Sequence, residues 1–240
     1  MPKINTRKIK CSQSDFLIGL LQKKQTPLHL AAADGQLEVC RLLLELGASI
    51  DATDELGQKP IHVAAQNNYS AVVALFLQKH PQLVGANTKV KIYKGKNIFT
   101  DFDFGQDGNT CAHIAAMRGS VRVIEELMKF DRQGVISAKN RVTEATALQL
   151  AAEGGHAEVV KTLVKAGASA VEENKAGFTA VHLAAQHGHT SVLEVFRTSG
   201  LKVTSKKLGV TALHVAAFFG QAGASRHKTV FFFMSIVFVS

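Results

Sequence analysis

Thr26-Pro27-Leu28-His29-Leu30-Ala31-Ala32 decides the fold, because the chain writes these words repeatedly. Ile61-His62-Val63-Ala64-Ala65, Thr179-Ala180-Val181-His182-Leu183-Ala184-Ala185 and Thr211-Ala212-Leu213-His214-Val215-Ala216-Ala217 repeat them closely, and residues 110–116 and 146–152 repeat them loosely. His29 and His62 stand 33 residues apart, as do Gln149 and His182, and His214 follows His182 by 32. A constant period near this length is the mark of a stacked repeat architecture, in which one small unit is laid against the next.

Each recurrent position has a physical reading. The alanine pairs 31-32, 64-65, 115-116, 151-152, 184-185 and 216-217 occur in all six copies, where a strong helix former without a long side chain lets helices approach closely. Six residues beyond each His or Gln stand Gly35, Asn68, Gly119, Gly155, Gly188 and Gly220, residue types that tolerate the left-handed backbone that ends a helix. A second apolar run follows at spacings of three and four, as in Val39, Leu42, Leu43 and Leu46, or Val159, Val160, Leu163 and Val164. That spacing predicts helix faces packed on a core, not strands. Gly47, Gly167 and Gly200 end three of these second helices, while His80 and Asp131 take the same place in two others. Turns such as Asp54-Glu55-Leu56-Gly57 and Lys175-Ala176-Gly177-Phe178 lead into the next copy.

The T-P-L-H-x-A wording with this period resembles the ankyrin repeat. The fold expected is all-α: an ankyrin-repeat solenoid of stacked antiparallel helix pairs, with no sheet beyond turn hairpins. Such arrays act by contact, so the expected partner is a protein, held on the turn tips and the inner helix face.

Net charge of +9 and a pI near 9.5 suggest nucleic acid only at first sight. Residues 1–24 contribute +5, residues 222–240 contribute +2 and residues 89–104 contribute +2, which accounts for the whole excess. The repeats themselves are balanced, so no basic stripe for phosphates is expected, and no nucleic-acid partner. Cys11, Cys40 and Cys111 are odd in number and share no ligand spacing, which argues against a disulfide framework or zinc site and fits a reducing, cytoplasmic setting. Cys40, inside a second helix, reads as a small hydrophobe.

No Walker-type phosphate loop, G-x-S-x-G or H-E-x-x-H occurs in the chain, so no catalytic, cofactor-binding or metal-binding residues are assigned. The recurrent histidines 29, 62, 113, 182 and 214 lie one per unit, whereas metal ligands must converge. They are expected to hydrogen-bond locally, beside a capping Thr present in five of the six copies. His187-Gly188-His189 reads as a solvated pair rather than a metal site. Asn68-Tyr69-Ser70 matches a glycosylation pattern, but Asn68 stands where the other copies have Gly and is explained by helix termination.

The repeat is interrupted once. His62 and His113 are 51 residues apart, and removing residues 90–106 restores a spacing of 34. This stretch, rich in Lys and Phe, is expected to be a non-repeat loop between residues 25–89 and residues 107–222; a functional surface loop is the other reading. Residues 1–24 are an atypical basic segment without the repeat, and the last unit is incomplete. Residues 223–240 form an atypical apolar tail, too short for the ~20 residues of a membrane span.

Less general wording, Asp107-Gly108-Asn109-Thr110-Cys111-Ala112-His113, Glu172-Glu173-Asn174-Lys175-Ala176-Gly177-Phe178 and Gln58-Lys59-Pro60-Ile61-His62, resembles the long N-terminal ankyrin domain of the NompC/TRPN family of mechanosensory channels. The resemblance covers residues 25–89 and 107–222. It implies a cytosolic spring that ties the cytoskeleton, chiefly microtubules, to a tetrameric cation channel of the plasma membrane. This chain has no channel region, so it would be a fragment of such a protein; a free-standing cytosolic ankyrin adaptor is the alternative. A catalytic domain has no room, since no segment outside the repeats exceeds 24 residues.

Overall fold

The computed structural model describes residues 24–88, 108–199 and 211–218. The expectations for residues 1–23, 90–106 and 223–240, and for Gly200 and Gly220, lie outside these. Within them the repeats form helix pairs in strict succession: α1 (Pro27–Ala33) and α2 (Leu37–Glu45), α3 (Pro60–Gln66) and α4 (Ser70–Lys79), α5 (Cys111–Met117) and α6 (Val121–Ser137), α7 (Ala147–Glu153) and α8 (Ala157–Lys165), α9 (Ala180–Gln186) and α10 (Thr190–Thr198), then α11 (Ala212–Phe218). Among the described residues the β-structure is limited to two isolated bridges, Asn87 with Thr110 and Lys139 with Thr146, both at hairpin bases.

Short inner helices start at fixed points because Thr26, Thr110, Thr146 and Thr179 adopt extended backbone before them, and Pro27 and Pro60 open α1 and α3 with a ring already set to helical φ. They stop where the chain turns left-handed, with φ of +69° at Gly35, +63° at Asn68, +72° at Gly119, +76° at Gly155 and +72° at Gly188. Asn68 is therefore a helix terminator, as its register indicated.

The alanine pairs in α1, α3, α5, α7 and α9 are buried and form the seam between neighbouring inner helices. Outer helices α4, α6, α8 and α10 bury Val72, Val123, Val159 and Val192 together with Phe76, Leu127, Leu163 and Phe196, and one hydrophobic core runs through all the units. Neighbouring units supply each other's core, which is how a solenoid is stabilised.

Two departures from the sequence reading are informative. Val39, Leu42 and Leu46, expected to face the core, are 41%, 57% and 83% exposed: no described outer helix precedes α2 to cover Val39 and Leu42, and Leu46 caps the end of α2, a position where Phe130 is exposed as well. Where His80 and Asp131 replace glycine, the outer helix breaks at an extended residue (φ −140° and −150°) and the chain winds again, as a 3-10 turn over Pro81–Gly85 and as the last part of α6. Asp131 Oδ1 accepts from the Gly134 N–H at 2.8 Å and so caps the resumed turn.

Candidate interaction surface

The recurrent histidines do more than hold their own turn. Thr26 N–H donates to His29 Nδ1 at 3.2 Å and Thr26 Oγ1 lies 2.8 Å from the same nitrogen, so Nδ1 is the acceptor. The proton then sits on Nε2, which donates to the Gln58 carbonyl at 3.0 Å, in the hairpin of the next unit. His62 donates likewise to Ala86 O at 2.9 Å, and His113 to Ala138 O at 3.2 Å and Ala145 O at 3.0 Å. Gln149 settles the tautomer: its Oε1 accepts from Thr146 N–H at 2.8 Å and its Nε2 donates to Glu172 O and Phe178 O at 2.8 and 2.9 Å, so an amide reproduces the neutral imidazole atom for atom. Burial pushes His62 and His113 down to about 4 and lowers His29, against the raising effect of the carbonyl bonds. These residues are structural links, held neutral.

A second column of links was not anticipated. His156 Nε2 donates to Met117 O at 2.8 Å, His189 Nε2 to Glu153 O at 2.8 Å, and Asn67 Nδ2 to Ala33 O at 3.1 Å. Each acceptor is the last residue of an inner helix, whose carbonyl has no partner within that helix, and each donor belongs to the following unit. His189 is thus a connector and only His187 is exposed, which corrects the reading of a solvated pair; their rings stack with centroids 5.9 Å apart. The signal was present in Gly155-His156 and Gly188-His189, a histidine placed directly after the helix-ending glycine. Among the described residues no three His, Cys, Asp or Glu side chains gather as a metal site would require. Cys40 and Cys111 are buried thiols, raised by burial to about 11 and about 12, which suits packing rather than chemistry.

The turn tips are hairpins of one design. Asp54 N–H donates to Gln58 O at 3.0 Å while Gln58 N–H donates to Asp54 Oδ1 at 2.8 Å. Asn174 and Phe178 exchange the same two bonds at 3.0 and 2.9 Å, as do Asn140 and Ala145 at 2.9 and 3.2 Å. Thr88 and Asn109 close an identical pair: Thr88 N–H to Asn109 O at 2.9 Å, and Asn109 N–H to Thr88 Oγ1 at 3.0 Å. Gly108 (φ +64°) then matches Gly57 (+73°) and Gly177 (+85°) at the last tip position. The described chain therefore stops at Thr88 and resumes at Gly108 on the two sides of a closed hairpin pair.

What the tips present is charged and exposed: Glu55, Arg141, Glu144 and Lys175. Asp34, Asn67, Arg118 and His187 are exposed at the C-terminal ends of the inner helices, away from the tips. Lys175 N–H donates to Thr143 O at 2.8 Å and Lys139 pairs with Glu172 at 2.8 Å, so the 140–145 and 174–178 hairpins are joined to each other. The signs are mixed, which suits a polar protein surface better than a polyanion. No helix among the described residues is long and apolar enough to cross a membrane.

Known proteins agree with this geometry. The family described as ankyrin repeats (3 copies) matches residues 8–92 and 82–174, and a further ankyrin repeat matches residues 176–201. Rabankyrin-5 of Mus musculus is 29% identical over 169 residues, covering 63% of this chain and 14% of the relative. The transient receptor potential cation channel subfamily A member 1 homolog of Caenorhabditis elegans is 28% identical over 202 residues, 83% of this chain and 15% of that protein. NF-kappa-B inhibitor alpha of Sus scrofa is 30% identical over 105 residues, 44% of this chain and 30% of the relative. The chain thus spans under a third of each of these relatives. Repeat wording, helix pairs, hairpins and family match agree, and the chain belongs to the ankyrin-repeat family, whose stacked units form a protein-interaction module.

Proposed function

We propose that this chain acts as a protein-binding elastic tether, a part of the cytosolic ankyrin spring of a TRPN-type mechanosensitive cation channel. The observation that carries the reading is the reach of the match to a transient receptor potential channel, 83% of the chain against 63% for Rabankyrin-5 and 44% for the NF-kappa-B inhibitor. The structure supports a mechanical role in a second way: each inner helix packs chiefly on the inner helices before and after it, so load passes from unit to unit. The hairpin tips and the inner helix face would hold the partner. By family resemblance that partner is the cytoskeleton, chiefly microtubules, and the parent is a tetrameric channel of the plasma membrane.

Co-sedimentation with microtubules, paired with long-read transcripts across this region, tests the proposal. Binding together with transcripts that continue into further repeats and channel exons is the expected result. A free-standing adaptor is the second reading, favoured by the matches to Rabankyrin-5 and the NF-kappa-B inhibitor. Transcripts that carry this chain alone, with no microtubule binding, would establish it instead.

A further inference from the structure

A cleft of about 340 Å³ opens between the first two units, where the loop after α2 faces the end of α4. Ala48 and the buried Ile50 give it an apolar wall, Glu45 and Asp51 bring carboxylates, and Lys79 and His80 stand at the end of α4. That end is rich in free acceptors. α4 breaks at His80, Pro81 has no N–H to offer the Leu77 carbonyl, and the Leu83 N–H turns to His80 O at 3.1 Å. The carbonyls of Leu77, Gln78 and Lys79 therefore accept no hydrogen bond from the described residues, at the helix end that favours positive charge. Asp51 is paired with Lys59 at 2.6 Å, whereas Glu45 has no charged partner among the described residues. Lys79 is the opposing charge, and it is exposed.

Two units further on, the corresponding place is filled from within. Arg132 stands nine residues after Val123, as Ala48 stands nine after Val39, and Ala166 follows Val159 by seven, as Lys79 follows Val72. Arg132 Nε and Nη2 donate to Ala166 O at 2.9 and 2.7 Å and so close the end of α8. Alanine at position 48 leaves the end of α4 without that guanidinium. We propose that the cleft takes an arginine side chain of a partner protein, with its guanidinium on the open carbonyls of α4 beside Glu45 and its stem along Ala48 and Ile50. The planar fork of donors suits adjoining carbonyls and a carboxylate better than the compact, strongly hydrated ammonium of lysine. The assignment is independent of which protein the chain tethers.

Titration of the full chain with N-acetyl-arginine amide, followed by amide NMR shifts, tests the proposal. N-acetyl-citrulline amide, which keeps the shape and loses the charge, and N-acetyl-lysine amide are the controls. The arginine compound should shift amides of residues 44–51 and 77–83, binding about tenfold more tightly than citrulline and more tightly than lysine. E45Q, at an exposed position, should weaken it roughly threefold. A48R should supply the guanidinium within the chain and abolish the shifts, while unmoved amides in α8 show that either variant is folded. Equal binding of the three compounds, shifts scattered away from these residues, or undiminished binding by both E45Q and A48R would overturn the assignment.

Discussion

His156 donates from Nε2 to the carbonyl of Met117 at 2.8 Å and lays its ring where a side chain on Gly119 would have to stand. A Cβ at Gly119 would meet His156 Nδ1 at 2.6 Å, and one at Gly155 would meet His189 Nδ1 at 2.7 Å. The helix-ending glycine is therefore doubly required, by its φ and by the ring of the next unit.

Gly119→Ala and Gly47→Ala separate the two requirements. Both glycines have positive φ, +72° and +83°, but nothing lies within 4 Å of a Cβ at Gly47. Gly47→Ala should cost about 1 kcal/mol from backbone strain alone, and Gly119→Ala about 2–4 kcal/mol, because the His156 link must shift as well. Urea denaturation checks the difference, and equal costs would show that the ring contact is immaterial.

Acid should unlink the stack. His62 and His113 have folded values of about 4 against about 6.5 unfolded, so between these limits the unfolded chain takes up protons that the folded one refuses. Stability is full above pH 6.5 and falls as the pH drops toward 4, by about 2 kcal/mol for each residue between pH 6.5 and 5. H62Q/H113Q, copied from the arrangement at Gln149, should remove most of that loss. The ratio of urea stabilities at pH 7.5 and pH 5 measures it, and an unchanged acid slope would refute the assignment.

Position 68 and position 120 should be coupled. The unit that ends its inner helix with Asn68 is followed by Ser120, where Gly35, Gly119 and Gly155 are followed by the rings of Tyr69, His156 and His189. Ser120→His should destabilise alone, by about 1–3 kcal/mol, since Asn68 holds a side chain where the ring must lie. In an N68G background the loss should be recovered in part or reversed. A double-mutant cycle without coupling would contradict the register.

Deleting residues 90–106 should leave stability unchanged or slightly higher. It would join Thr88 to Asn109 through Lys89, Asp107 and Gly108, the same three-residue tip that joins Asp54 to Gln58 and Asn174 to Phe178. Shortening the connection gains about 1 kcal/mol or more of loop entropy. A loss above about 1 kcal/mol in thermal or urea unfolding would mean that the deleted residues pack on the repeats.

Thiol titration offers a further check. Cys40 and Cys111, buried and raised to about 11 and about 12, should resist a thiol reagent at pH 8 until the chain unfolds. Rapid native-state labelling of either would show that its unit opens readily.

The repeat, the helix pair and its glycine stop were legible because they depend on local rules: capping, left-handed backbone and a three-to-four spacing. Thr26 and His29 could be read as a turn, but the Gln58 carbonyl that completes the bond lies 29 residues away, and its approach depends on how two units stack. The same limit hid His156 and Arg132, whose guanidinium donates to Ala166 O at 2.7 and 2.9 Å in the next unit. Val39 and Leu42 were assigned to the core from their spacing, which fixes a helix face but not whether a neighbour covers it. Glu55, Arg141 and Lys175 could be placed at tips by counting, while the link between the tips of Arg141 and Lys175 required the Lys175 to Thr143 bond.

The missing ring at Ser120 has a mechanical consequence. Between the first and second units, the third and fourth, and the fourth and fifth, a side chain reaches back to the last carbonyl of an inner helix, while His29, His113 and Gln149 reach forward. Between the second and third, His62 reaches forward, but Ser120 is too short to return the grip. Beside that junction the Thr88–Asn109 hairpin leads into residues 89–107, which lie outside the described residues. With serine in place of the ring found at His156 and His189, this junction is expected to be the first whose angle changes under bending or tension.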